Sequence, residues 1–260
     1  MMPTREYMTT TLQSAVTLVR NLAIAFVVGW IVIQIAFPAW TIRYRLTLVA
    51  EVDGREVTGS GVIETHWRSQ GVLARLTGVP WDVSVRGEAV VLDLGERGIF
   101  FLLLRQDPRG GRGLDAAHLV SRYFAGRSVG SVTSVMLQAM TPSRPPVSLD
   151  LNDLPLMVRF RDLADPRSVE KVDPTNLVAS FGQGVRLQRA TIRIVPTGWP
   201  IFDRLGWPRS LAGEPVTEGI GNQLKWLGRY PEPSLVKASD PSNPTLSAEI
   251  HHGDFRMGTE

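Results

Sequence analysis

A chain of 260 residues with 43% hydrophobic content can bury a real core, which excludes an intrinsically disordered polymer. Its net charge of +3 is small, and basic residues such as Arg43, Arg105 and Arg127 are spread along the chain, so no nucleic-acid footprint is present and no nucleic-acid partner is expected. The absence of cysteine removes disulfides, thiolate catalysis and Cys-ligated zinc together, while leaving the compartment open.

From Asn21 through Ile42 no residue is charged, and the centre of the run is apolar. At about 1.5 Å per residue, a run of about 20 residues crosses a hydrocarbon layer about 30 Å thick. A transmembrane anchor is therefore expected from residue 22 to 40, after an N-terminal tail of residues 1–21, with Trp40 and Tyr44 near the far boundary. A cleaved signal peptide is disfavoured, because Phe37 occupies a small-residue position of the only plausible cleavage site, Ala36-Phe37-Pro38-Ala39. Orientation is poorly encoded: Arg5 and Arg20 on one flank oppose Arg43, Arg45 and Arg55 on the other. The usual layout of signal anchors, a short tail before a long domain, leads to a single pass in a bacterial inner membrane with the domain in the periplasm.

Tyr44, Leu46, Leu48, Ala50 and Val52 alternate with a second set of residues, the period of a strand with one buried face. Asp53-Gly54 follows, the dipeptide suited to a two-residue primed turn, and Arg55 to Thr65 forms the returning strand. That turn sets Ala50 opposite Val57, Leu48 opposite Gly59, Leu46 opposite Gly61 and Tyr44 opposite Ile63, so the apolar faces coincide. A second hairpin is written in Ser84 to Leu94 and Ile99 to Leu104, whose run Ile-Phe-Phe-Leu-Leu-Leu suits a strand covered on both faces. A helix is expected over Asp115 to Phe124, a strand over Val129 to Met140, and a break at Pro142 through Pro146. Further strands are expected at Leu154 to Phe160 and Val185 to Val195. Between them, Asp173-Pro174 is read as the N-cap and first position of a helix ending at Phe181. A short helix is expected around Gly219 to Leu227. The fold class is one N-terminal transmembrane helix followed by a β-rich α+β domain of mainly antiparallel strands with a few short helices. Its parts are a β-rich subdomain with hairpins at 41–140, a second α+β part of the same domain at 141–230 and a flexible tail at 231–260.

Chemistry is weakly signalled. Gly126-Arg127-Ser128-Val129-Gly130 matches the Gly-x-Ser-x-Gly elbow, with Asp150 or Asp153 and His251 or His252 later in the chain, but the flanking pattern is not strand, turn, helix. Ser168-Val169-Glu170-Lys171 matches Ser-x-x-Lys without its supporting motifs, and four scattered histidines do not suggest a metal site. No catalytic residue, cofactor or metal ligand is therefore assigned. Trp199 and Trp207 stand beside Gly and Pro on turns, and together with Trp226 they are the candidate binding surface.

Gly59 to Glu64, Gly87 to Gly95, Leu154 to Gly182, Glu214 to Thr217 and Leu224 to Leu227 together resemble a group of uncharacterised, single-anchor membrane proteins of proteobacteria. The resemblance implies an anchored domain and no particular chemistry. The expected function is thus a membrane-anchored binding or scaffolding protein of the bacterial envelope, with no chemistry identifiable from its residues. Its expected partners are the lipid bilayer, through the anchor, and a protein of the envelope or membrane. The alternatives are an accessory subunit of a larger membrane complex and a serine hydrolase using Ser128.

Overall fold

The structure, a computed structural model, describes residues 4–36, 39–71, 81–107, 113–125, 144–197, 213–228 and 250–258. It forms two units, Met1–Ala39 with Arg68–Asp82, and Trp40–Trp67 with Val83–Glu260. The first contains helix α1, Thr4–Ala36. Over Val16–Ile33 its mean hydropathy is 2.1 and none of its side chains is buried, so this one helix is long and apolar enough to cross a membrane. It ends earlier than expected: Ala39 and Trp40 already belong to strand β1, Ala39–Val52. Tyr44, expected at a membrane boundary, is wholly buried and its hydroxyl donates to the Ala116 carbonyl at 2.7 Å. Inside the core its ring adds apolar contact and its OH is satisfied, which removes any need for an interface.

Chain reversal after β1 follows the expected turn. Asp53 and Gly54 have φ of 50° and 82°, the two left-handed conformations of a primed turn, and lead into β2, Arg55–Ser69. On its other side β1 pairs antiparallel with β9, Val185–Val195, which sets Tyr44, Leu46 and Leu48 opposite Ile194, Ile192 and Ala190. A bulge at Val49/Ala50 then restores the same apolar face to Leu187 and Val185. β3, Trp81–Glu88, β6, Val147–Leu149, and β10, Arg256–Met257, complete a six-stranded sheet of order β10-β3-β2-β1-β9-β6.

The strand expected over Ser84 to Leu94 is in fact two. At Ala89 the chain leaves β3 and enters β4, Val90–Asp93, in a separate antiparallel meander of order β4-β5-β7-β8. The others are β5, Ile99–Leu102, β7, Met157–Phe160, and β8, Val169–Val172. Two glycines of β2 let the sheets touch. A Cβ at Gly59 would lie 2.2 Å from the Val91 carbonyl oxygen, and one at Gly61 would lie 3.0 Å from Val90 Cγ2. Central strand β5 is covered on both faces, as its continuous apolar run implied. Phe100 packs against Phe181 on one side; on the other, Phe101, Val158 and Phe160 meet Ile220, Leu224, Trp226, Ile250 and Phe255.

Short helices close the edges. Asp115 caps α2, Ala116–Val120, by accepting from the His118 amide at 2.8 Å, and a π-helical turn continues to Ala125. Asp173 heads a turn instead of a helix, accepting from the Thr175 amide and hydroxyl. α3 is only Val178–Phe181, stopped by Gly182 at φ 86°. Around Gly219 to Leu227 the chain makes a 3-10 turn, Ile220–Asn222. The expected tail is also corrected at its end: residues 250–258 form α4, His252–Phe255, and β10, and Phe255 is fully buried among aromatic rings. The strand expected at 129–140 lies outside the described residues.

Candidate functional site

The face of β1, β2 and β9 that points away from the four-stranded sheet carries the charged and hydroxyl side chains, with buried Val49, Val62 and Val195 among them. The same two-residue turn that aligns the apolar faces sets Thr41 level with His66 and Arg43 level with Glu64, and these pairs touch. Thr41 Oγ1 and His66 Nδ1 are 3.1 Å apart, and Arg43 Nε donates to Glu64 Oε2. Arg43 and Glu64 are each 3% exposed, and Arg43 is the one buried cation among the described residues. A buried charge needs a full set of partners. Arg43 also donates from Nη1 to the Glu214 carbonyl at 2.9 Å. Glu64 receives His66 Nε2 at 2.8 Å and has Arg86 Nη1 at 3.9 Å. Burial works against the charge of Glu64, but the hydrogen bonds from His66 and Arg43 outweigh it and hold its carboxyl below the usual glutamate value.

Residues 213–218 run beside this cluster. Thr217 pairs with Val62 in both directions, its amide donating to the Val62 carbonyl at 3.1 Å and its hydroxyl accepting from the Val62 amide at 2.8 Å. Arg45 Nε donates to Glu214 Oε1 at 2.8 Å. Between them an open groove of about 740 Å³ is lined by Arg45, Val62, Pro196, Gly213 and the stretch Glu214 to Glu218. Two other clefts are built on ion pairs: one of about 410 Å³ beside Asp107 and Lys171, the other of about 480 Å³ beside Asp53 and Arg97.

The sequence-predicted site fares differently. Trp226 is core: it is 6% exposed, its ring meets Phe160 and Phe255 edge-on, and its Nε1 donates to the Leu163 carbonyl at 2.9 Å. A buried indole needs such an acceptor, and having one it presents nothing to a ligand. Trp199 and Trp207 lie outside the described residues, as does Ser128. The hydrolase's other candidates have structural work. Asp150 accepts from the Asn152 amide, Asp153 accepts from the Tyr123 hydroxyl at 2.7 Å, and the amide of His251 donates to Asp254 at the start of α4. His252 packs against Trp226. No group of three His, Asp or Glu side chains among the described residues is arranged to hold a metal. Comparison with known protein families, characterised proteins and solved structures gives no match.

The Arg43–Glu64–His66 cluster was not singled out from the sequence, although its signal was there. Any register that pairs Tyr44 with Ile63 also pairs Arg43 with Glu64.

Proposed function

We propose that the chain is a single-pass, membrane-anchored binding protein of the bacterial envelope, held in the inner membrane by α1, with its β-rich domain on the periplasmic side. The observation that carries this reading is the helix, apolar over Val16–Ile33 with no side chain covered. Eighteen residues rise about 27 Å, close to the thickness of a hydrocarbon layer. The core helix of a water-soluble domain buries its apolar stripe, whereas an uncovered cylinder of this size calls for lipid or a partner helix. Arg20 lies one turn inside the apolar window, where a long side chain reaches back to the headgroups. The open groove beside Arg45 and Glu214 supports binding as the work of the domain.

Two measurements test the anchor and its direction. Carbonate washing of membranes should leave the full chain in the pellet at its uncleaved mass. Because the chain has no cysteine, a single cysteine placed at Ser60 should be labelled by an impermeant maleimide added to intact spheroplasts. Release by carbonate would remove the anchor. Labelling only after lysis would place the domain in the cytoplasm.

A further inference from the structure

On the polar face, Arg45 and Arg193 stand directly opposite each other on β1 and β9, and both are exposed. One step along the same face Thr47 opposes Thr191, and Ser148 of β6 lies beyond Thr191. The hairpin register adds Ser60 on the other side, so Ser60, Thr47, Thr191 and Ser148 form a row across four strands. At about 4.8 Å per strand the row is about 14 Å long.

Two features of this patch lack an internal explanation. Like charges directly opposite on a sheet repel. On β1 and β9 every other arginine of this face is answered by a carboxylate: Arg43 by Glu64, Arg45 by Glu214, Arg186 by Glu51 and Arg189 by Glu56. Arg193 has no ion pair or hydrogen bond among the described residues, and neither do the four hydroxyls. The surplus is therefore one guanidinium beside a second, next to a line of groups that each donate and accept.

We propose that this face binds a phosphorylated glycan, its phosphate held by the Arg193 fork beside Arg45, whose Nε and Nη2 stay with Glu214, and its sugar hydroxyls by the Ser60–Ser148 row. A guanidinium fork matches two phosphate oxygens and carries the complementary charge. Side-chain hydroxyls exchange hydrogen bonds with sugar hydroxyls in either direction. A phosphatidylglycerol headgroup, a phosphate with a short polyol, would use the arginines and reach only part of the row of about 14 Å. A protein partner would want aromatic or aliphatic anchors, yet outside α1 the single large apolar side chain exposed among the described residues is Val178. The inference rests on the binding reading above and not on the membrane anchor.

Calorimetric titration of the full chain in mild detergent tests it, using phosphorylated mannopentaose, the same oligosaccharide without phosphate, inorganic phosphate, and phosphatidylglycerol vesicles. The phosphorylated oligosaccharide should bind at least ten-fold tighter than either of its parts. Arg193→Gln should weaken it at least ten-fold. The double variant Thr47→Val with Thr191→Val should weaken it several-fold while leaving inorganic phosphate unaffected, and both variants should melt with the parent. Equal affinity for phosphorylated oligosaccharide and inorganic phosphate would overturn the proposal, as would an Arg193→Gln variant that binds like the parent. So would Arg193-dependent binding confined to the vesicles. If no probe binds but a photo-crosslinker at Ser148 captures a protein in cells, the glycan falls and the binding reading stands. If the crosslinker captures nothing, both fall.

Discussion

Replacing Gly59 with alanine tests how closely the two sheets are joined. In a strand, glycine to alanine ordinarily stabilises by about 0.5 to 1 kcal/mol, because glycine has more freedom to lose on folding. Here the new methyl would stand 2.2 Å from the Val91 carbonyl oxygen and 2.8 Å from Leu92 Cδ1, where an ordinary contact begins near 3.4 Å. About 1.2 Å of movement is required, and the atom that must give is backbone, fixed in the β4–β5 ladder. Overpacking typically costs 1 to 3 kcal/mol, and a backbone obstacle belongs at about 3 kcal/mol, more than the entropic gain. For a domain of this size that lowers the melting temperature by about 6 to 12 °C. Gly61→Ala should cost less, because its methyl meets a Val90 methyl at 3.0 Å, which can turn aside. Ser60→Ala, on the solvent face between them, should be near neutral. Thermal melts of the three variants followed by circular dichroism give the ranking. A Gly59→Ala protein that melts within about 1 °C of the parent would refute the close approach of β2 to β4.

Glu64→Leu should destabilise by about 3 to 5 kcal/mol, since it strands the buried Arg43 guanidinium, whereas the double change Arg43→Met with Glu64→Leu should recover most of the loss. A urea double-mutant cycle reads the difference, and additive losses would break the pairing. Phe255→Ala should cost about 3 to 5 kcal/mol by opening a cavity between Phe101, Phe160 and Trp226, and a C-terminal segment that contributed nothing to stability would show no change in the urea midpoint. The Asp115–His118 pair should give stability a pH signature. The hydrogen bond that His118 donates to Asp115 raises His118 above its ordinary 6.5, so its contribution is complete below that value and fades as pH rises through the raised one. For Asp115, burial pushes the carboxyl up but the His118 hydrogen bonds bring it below 3.8, so its contribution fades only as pH falls through the lowered value. His118→Gln should therefore lose most stability near pH 5 and least near pH 9, and a pH-independent loss would contradict the pairing.

Much of the β-domain could be read locally. Asp53-Gly54 specifies a turn in which both residues take positive φ, and the turn alone fixes which side chains of β1 and β2 face inward. The alternation of Val185 to Val195 reads directly as β9, and only its bulge, one residue that interrupts the period, escapes the pattern. The break at Ala89 was illegible for a different reason. The alternation of Val83, Val85 and Gly87 with Ser84, Arg86 and Glu88 passes at Ala89 straight into the apolar run Ala89 to Leu92, and no turn residue separates the two, so the stretch reads as one strand. The C-terminal segment was hidden by its composition. Phe255 stands among His, Gly, Asp and Arg, and its burial depends on rings about 30 to 150 residues away in sequence, which no local window contains. Trp226 misled for the converse reason: a tryptophan in a short expected helix has the same sequence context whether it points outward or inward, and here the Leu163 carbonyl decides.

The late entry of Phe255 has a consequence for how the protein is made. The ring completes a cluster begun at Phe101, and Asp254 and Arg256 tie it to Arg105 and Glu88. A ribosome delivers residues in order, so the aromatic cluster cannot close until the segment 250–258 has emerged. Until then the growing chain holds an open, incompletely packed β-structure, and its most distant contacts form last. Trimming the segment would leave a domain that remains open to proteases.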